Sequence, residues 1–159
     1  MIFVAVGTQK FPLDRLLAGM DRLVASGEIT ETVFAQTGYS GYKPENYPYE
    51  RFLSKEAYEE AIARCDLLVT HSGVGTIMTG LGRGKPVVVF PRLAKYAEHV
   101  DDHQLEIADC FSQKNLVLLC DDAGRLGDVL KAARTHVFDK YRSRRDTVVE
   151  TIRTWLDGV

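Results

Sequence analysis

Short apolar runs alternate with segments of helical periodicity along the whole chain. The first run, Ile2–Val6, ends at a glycine, and a segment that opens at Pro12 then places leucines at helical spacing until Gly27. Further apolar runs typical of buried strands cover residues 32–36, 49–53, 67–70, 87–90 and 116–119. Helical patterns lie between and after them, over about 54–63, 77–81, 99–112, 123–135 and 139–156. The alternation predicts one α/β domain over residues 1–159, built as a single Rossmann-like, doubly wound parallel sheet.

Composition and charge exclude several classes of partner and compartment. A net charge of −2 over 159 residues gives no electrostatic case for binding nucleic acid. The amino-terminal run has no basic flank, and no apolar stretch approaches the ~20 residues that span a bilayer. We therefore expect a cytoplasmic protein whose membrane contact is peripheral. The three cysteines, Cys65, Cys110 and Cys120, have no C-x-x-C spacing and are expected to be buried thiols.

The segment from His71 to Thr76 follows a predicted strand and leads into a predicted helix. The free N–H groups and positive dipole end of a helix start bind phosphate, and glycines at 73 and 75 would let a ligand approach the backbone. His71 and Thr76 would add side-chain donors. The glycine spacing fits neither G-x-G-x-x-G nor a Walker A loop. Two interpretations stay open: a site for a phosphate-bearing small molecule, or a tight turn that needs glycine only for its geometry.

Two other segments follow predicted strands in the same way. Gly7-Thr8 comes after the first strand, and Pro91-Arg92 comes after the strand at 87–90. Ligands of parallel α/β sheets bind outside the carboxyl ends of the strands, so these segments and the 71–76 loop should converge on one site.

Three blocks of sequence resemble the glycosyltransferase family 28 C-terminal domain, and within it the Alg13-like and PssE-type subunits of glycan and exopolysaccharide synthesis. The blocks are Val6–Thr8, Leu68–Thr76 and Pro91–Gln104. The resemblance implies the fold of the carboxy-terminal half of a GT-B glycosyltransferase, a UDP-sugar donor, and no metal or other cofactor.

The resemblance also implies roles for individual residues. Donor phosphates would be held by Gly7, Thr8, His71, Ser72, Gly73, Val74, Gly75 and Thr76. The donor sugar and ribose would be held by Thr79, Arg92, Glu98, His99, Asp102, His103 and Gln104. Phe52 and Leu53 lie where the family places apolar residues against uracil. Preorganised N–H donors would stabilise the charge that develops on the departing diphosphate, and side chains such as Gln104 can both donate to and accept from hydroxyls.

The third block permits other interpretations. His99 and His103 are four residues apart in a predicted helix and could ligate a metal, although the sequence offers no third ligand. The same residues could simply form a polar helix start, because Asp101 and Asp102 favour the dipole there. Thr79 departs from the family pattern, since related enzymes often have an acidic residue at that place to hold the ribose. Ribose recognition would then be weaker, or it would be supplied by another residue, for which Glu98 is a candidate.

The resemblance implies that an acceptor-binding half is missing from this chain. In similar systems a membrane-anchored partner subunit of the Alg14 or PssD type presents a lipid-linked acceptor, which would place this chain at the inner face of the membrane. The predicted helix at 139–156 has an apolar stripe, formed by Tyr141, Val148, Ile152 and Trp155, and a basic cluster before it. That stripe would dock either on the partner or on the chain's own sheet.

The leading hypothesis is a donor-binding, catalytic subunit of a two-component glycosyltransferase that uses a UDP-sugar and a lipid-linked acceptor. Its catalytic residues are not identified, and the general base is expected on the partner. One alternative is a non-catalytic subunit that binds the nucleotide sugar or stimulates a partner. Another is one half of an isomerase related to nucleotide-sugar epimerases.

Overall fold

The computed structural model describes residues 1–142 and 152–158. Its centre is a parallel sheet of six strands: β1 (Ile2–Ala5), β2 (Val33–Gln36), β3 (Tyr49–Glu50), β4 (Leu67–Thr70), β5 (Val87–Val89) and β6 (Leu118–Leu119). The spatial order is β3-β2-β1-β4-β5-β6, and every neighbouring pair is parallel. The order reverses direction between β1 and β4, as in doubly wound folds. The predicted fold class is therefore confirmed.

Helices connect the strands and cover both faces of the sheet. They are α1 (Asp14–Ala25), α2 (Lys55–Arg64), α3 (Val74–Gly82), α4 (His103–Gln113) and α5 (Leu126–Thr135). Short 3-10 turns lie at Ala94–Tyr96 and Ala123–Arg125. The predicted cap of α2 is present, because the Ser54 hydroxyl accepts a hydrogen bond from the Ala57 N–H at 3.1 Å.

The alternation of side chains along each strand creates two hydrophobic cores. Ile2 and Val4 of β1 face a core shared with α1 and α5, whereas Phe3 and Ala5 face the core beneath α2, α3 and α4. Both faces of the sheet are covered, which explains why the central strands are continuous apolar runs. The strand ends are consequently the part of the sheet left open to a ligand.

Helix α4 begins at His103, four residues later than the predicted start at about 99. A left-handed residue, Ala97 with φ of 56°, and the buried carboxylate of Glu98 hold the preceding segment in an irregular loop. His99 and His103 therefore do not share a helical face, and the metal interpretation that depended on this spacing loses its basis. Among the described residues, no group of three His, Cys, Asp or Glu side chains could hold a metal ion.

Two further expectations differ from the structure. The predicted helix at 139–156 is absent over residues 139–142, whereas residues 152–157 are helical and exposed. Residues 143–151, which include Val148 of the apolar stripe, lie outside the described residues. Cys110 is exposed on α4, unlike the buried Cys65 and Cys120, so the expectation of three buried thiols is wrong for that residue.

In the part of the chain that the structure describes, no helix combines the length and the apolar character needed to cross a membrane.

Candidate functional site

A cavity of about 650 Å³ lies at the carboxyl ends of the central strands. The loop after β1, the loop after β4 and the start of α3 form one wall, and the start of α2 forms the other. Eight residues predicted from the sequence line it: Gly7, Thr8, Leu53, His71, Gly73, Gly75, Thr76 and Thr79. The predicted convergence of the first two strand-end segments is thus present in the structure.

The imidazole of His71 lies between two glycines. A Cβ atom at Gly7 would lie 2.5 Å from the His71 Nε2 atom, and a Cβ atom at Gly73 would be closer still to the same ring. Gly7 also has a φ of +84°, which disfavours other residues. A Cβ atom at Gly75, by contrast, would meet no described atom within 4 Å. Gly7 and Gly73 therefore make room for the histidine, and Gly75 is the glycine that leaves room for a ligand.

Burial makes His71 a neutral side chain. Its pKa is lowered to about 3, mainly because burial disfavours the imidazolium and also because the Arg92 guanidinium adds positive charge nearby. Its buried Nδ1 atom has no hydrogen-bond partner among the described residues. A neutral imidazole can donate one hydrogen bond and accept one, so His71 is suited to contact an anion as a donor without carrying charge itself.

The start of α3 presents free N–H groups to the cavity. Its N-cap is Gly73, which offers no side-chain cap, and the first intrahelical bond runs from the Ile77 N–H to the Gly73 carbonyl. The N–H groups of residues 74–76 consequently lack intrahelical acceptors, and they lie at the positive end of the helix dipole. This is the arrangement that binds phosphate.

Side chains around this helix start are held in place by the protein. The Thr76 hydroxyl lies 2.6 Å from the Tyr58 hydroxyl on α2. The Thr79 hydroxyl donates to the Gly75 carbonyl at 2.8 Å, so it retains only acceptor capacity toward a ligand. Ser72 is buried and its hydroxyl has no partner among the described residues, while Val74 projects outward and is exposed. Phe52, beside Leu53, is also exposed and stacks edge-on against Tyr39.

Four lining residues were not predicted from the sequence: Gln9, Gln36, Lys55 and Tyr58. Gln36 is buried at the end of β2, where its side chain accepts from the Gly7 N–H at 3.0 Å and donates to the Gly7 and Arg51 carbonyls. The Gly7 amide is therefore already used within the protein. The sequence did mark Gln36 as a possible site residue, because it is a polar residue at the end of an apolar strand. The signal for Lys55 and Tyr58 was their i, i+3 spacing directly after the helix cap.

The third predicted block does not line this cavity in the described structure. The buried Arg92 guanidinium donates from Nη2 to the Val6 carbonyl at 2.6 Å and to the Phe11 carbonyl at 3.0 Å. The Gln104 side-chain oxygen accepts from the Arg92 N–H at 3.0 Å. Arg92 thus ties the loop after β5 to the loop after β1, and Gln104 ties the same loop to α4. Their role toward the donor sugar stays a prediction.

Glu98 is the centre of a buried ion pair. Its carboxylate receives two hydrogen bonds from Arg15, at 2.9 and 3.1 Å, and one from the Leu93 N–H at 3.1 Å. The Arg15 guanidinium also lies between the rings of Phe90 and Tyr96, 4.4 and 4.3 Å from their centroids. These contacts use three of the roughly four acceptor sites of the carboxylate, and Glu98 does not line the described cavity, so its role toward the ribose stays a prediction.

The remaining residues of the block contact other groups of the protein and do not line the cavity. Asp102 accepts from the Ala94 N–H at 2.8 Å, and the exposed His103 ring lies 3.0 Å from the Glu106 carboxylate. The His99 ring packs on Phe11, with centroids 4.6 Å apart. The bond from the Ala94 N–H to Asp102, together with that from the Leu93 N–H to Glu98, holds the irregular loop before α4.

The Arg92 guanidinium feels the charge of Glu98 without bonding to it. Burial lowers the pKa of Arg92 to about 10, while Glu98 raises it, so Arg92 remains protonated at neutral pH. Its Nε and Nη1 atoms are buried without hydrogen-bond partners among the described residues. Arg15, Arg92 and Glu98 together carry an excess positive charge, which favours an anion at the strand ends.

Comparison with known proteins identifies the family and the fold. The model of the glycosyltransferase family 28 C-terminal domain matches residues 1–149. The chain is similar to UDP-N-acetylglucosamine transferase subunit ALG13 of Homo sapiens, with 28% identity over 128 residues, 75% of this chain and 11% of the relative. The same subunit of Yarrowia lipolytica (strain CLIB 122 / E 150) is 29% identical over 94 residues, 57% of this chain and 45% of the relative. This chain therefore spans less than half the length of these relatives.

Solved structures share the fold. The NMR solution structure of ALG13 matches with a TM-score of 0.60 at 18% identity, over 96% of this chain and 94% of that one. The MurG of Acinetobacter baumannii matches with a TM-score of 0.58 at 19% identity, over 84% of this chain and 41% of that one. Because the family model covers nearly the whole sequence, the chain belongs to the glycosyltransferase family 28 C-terminal domain family.

Proposed function

We propose that this chain is the donor-binding, catalytic subunit of a two-component glycosyltransferase that moves a hexose from a UDP-sugar to a lipid-linked acceptor in glycan or polysaccharide synthesis. The observation that carries the proposal is the uncapped start of α3 beside neutral His71, at the open end of the sheet. The curated relatives support it, since they are named UDP-N-acetylglucosamine transferase subunits.

The chemistry follows from the charge that develops in the reaction. When the bond from the sugar to the diphosphate breaks, the leaving UDP gains negative charge. The N–H groups at the start of α3 and the His71 side chain would already point at that charge, so little reorganisation is needed at the transition state. No lining residue in the described structure is a carboxylate, and we propose no metal or other cofactor in this site.

A partner subunit completes the proposal. The described cavity is open on one side, and none of its described residues is a base with a pKa near neutrality, since that of His71 is lowered to about 3. We place the general base and the acceptor site on a membrane-anchored subunit of the Alg14 or PssD type. This chain would then be held peripherally at the inner face of the membrane through its partner.

The donor site is tested by calorimetry of the purified chain with UDP, NAD and ATP. UDP should bind, and NAD and ATP should bind much more weakly. Replacing His71 with Ala should weaken UDP binding by about 1–3 kcal/mol, the range for a hydrogen bond to a charged group, without unfolding the domain. Equal affinity for all three nucleotides would contradict the proposal.

The absence of a base among the described lining residues also favours a second candidate, a non-catalytic subunit that only stimulates its partner. Sugar transfer to a polyprenyl-phosphate-linked acceptor, measured with and without the partner, tests both. The chain alone should be inactive, because positioning the acceptor is worth several orders of magnitude in rate. With the partner present, His71→Ala should raise the donor KM or lower kcat. Unchanged donor kinetics would favour the stimulatory role.

A further inference from the structure

The charges around the cavity are unevenly distributed. Its described polar lining consists of threonines, glutamines, Tyr58, His71 and Lys55. Burial raises the pKa of the Tyr58 hydroxyl and lowers that of His71, so both side chains are neutral at physiological pH. Lys55 is thus the one formally charged side chain among the described lining residues. A diphosphate in this cavity would meet a single mobile cation.

The fold holds Lys55 opposite the start of α3. Lys55 is the first residue of α2, and the Ser54 cap fixes where that helix begins. Tyr58 lies one turn further on the same helical face, and its hydroxyl is 2.6 Å from that of Thr76 in the first turn of α3. This bridge holds the two helix starts together across the cavity. Lys55 therefore extends into the same space as the free N–H groups of α3.

Lys55 also differs from a lysine used for structure. Lys85 donates to the carbonyls of Ala63 and Cys65 at 2.8 and 2.9 Å, which fixes its ammonium group within the protein. The Lys55 side chain is exposed at the cavity and makes no such bond to the described residues. Its ammonium group is therefore available to a ligand.

We propose that Lys55 binds the diphosphate of the nucleotide sugar and offsets the charge on the departing nucleoside diphosphate. This inference rests on the proposed function. The start of α3 contributes fixed dipoles, whereas Lys55 contributes a full charge on a flexible stem that can follow the phosphate as the bond to the sugar breaks. Among uridine derivatives, affinity should therefore rise with the number of phosphates, from uridine through UMP to UDP.

The test compares UDP, UMP and uridine as probes of the unaltered chain and three variants, by calorimetry at low and high salt. Lys55→Gln should lose roughly 10- to 100-fold in UDP affinity, the range for hydrogen bonds to charged groups, and much less for uridine. Lys55→Arg should retain most of the affinity, because it keeps the charge. The matched control is Lys131→Gln, an equal loss of charge at an exposed position of α5 that lines a separate cavity, and this variant should bind UDP normally. The dependence of UDP affinity on salt should also become shallower in Lys55→Gln.

The outcomes separate this inference from the proposed function. If the unaltered chain does not bind UDP, the proposed function and the role of Lys55 fail together. If it binds UDP and Lys55→Gln binds equally well, the donor site stands and the role of Lys55 is overturned. An equal loss for UDP and uridine would place Lys55 on the nucleoside and also overturn the inference. Thermal unfolding of each variant checks that the fold is unchanged.

Discussion

The 71–76 loop and the 91–104 segment both follow central strands and both are rich in polar side chains, yet their polar groups are used differently. In the first, the N–H groups at the start of α3 and the side chains of His71 and Ser72 have unused hydrogen-bonding capacity. In the second, Glu98 and Asp102 bond to groups of the protein itself, and the unpartnered Arg92 atoms do not line the cavity. Unused hydrogen-bonding capacity facing a cavity, more than polarity alone, distinguishes a ligand site from a structural loop.

The largest effect is expected in the structural region. Glu98→Gln removes the buried carboxylate that pairs with Arg15 and should reduce the free energy of unfolding by about 3–5 kcal/mol, because two guanidinium groups lose their counter-charge. Urea unfolding measures this. Glu106→Gln, the same change on an exposed residue, is the control. A stable Glu98→Gln variant that has lost UDP-sugar affinity would show that Glu98 is a ligand residue after all.

A pair of glycine variants sharpens the comparison within the 71–76 loop. Gly73→Ala places a methyl group against the His71 ring and should cost about 1–3 kcal/mol of stability through overpacking. Gly75→Ala meets open space among the described residues, so it should keep its stability and weaken UDP binding instead. Thermal unfolding and calorimetry on both proteins separate the two effects. Similar results for the two variants would contradict the different roles assigned to these glycines.

The buried His71 should make stability depend on pH. Its pKa is about 3 in the folded protein and 6.5 by reference, so the unfolded chain takes up a proton first as the pH falls. Above pH 6.5 the free energy of unfolding should not depend on His71. Between pH 6.5 and 3 it should fall by up to about 1.4 kcal/mol per pH unit, because only the unfolded chain binds a proton at this side chain. Unfolding of the unaltered chain and of His71→Asn across this range measures the difference. Parallel pH profiles would mean that the histidine is not buried in its neutral form.

The smallest effect is expected at the surface of the 91–104 segment. Asp102→Asn keeps the oxygen that accepts from the Ala94 N–H, so stability should change by less than about 0.5 kcal/mol, with unchanged UDP-N-acetylglucosamine affinity. Calorimetry with UDP-N-acetylglucosamine and with UDP provides the measurement. A loss of affinity confined to the nucleotide sugar would instead support the sugar-binding role that the resemblance implies for Asp102.

The same comparison explains how far the sequence could predict the structure. Strand β4, the glycine turn and α3 depend on local periodicity and local turn chemistry, and the sequence predicted all three. The loop before α4 depends on Arg15, which is 83 residues away from Glu98, and the Gly7 loop depends on Gln36, 29 residues away. Such distant pairs leave no periodic pattern, so the start of α4 and the bonds of Gln36 to the Gly7 loop were not predictable, although its polar side chain at a strand end marked Gln36 itself.

The most direct measurement of the central claim is an NMR titration of the chain with UDP, following the backbone amides. The account predicts the largest chemical-shift changes at Val74, Gly75 and Thr76, whose N–H groups lie at the free start of α3. Amides of residues 101–106 should move much less. Large changes at 101–106 with no response from residues 74–76 would place the nucleotide elsewhere and contradict the account.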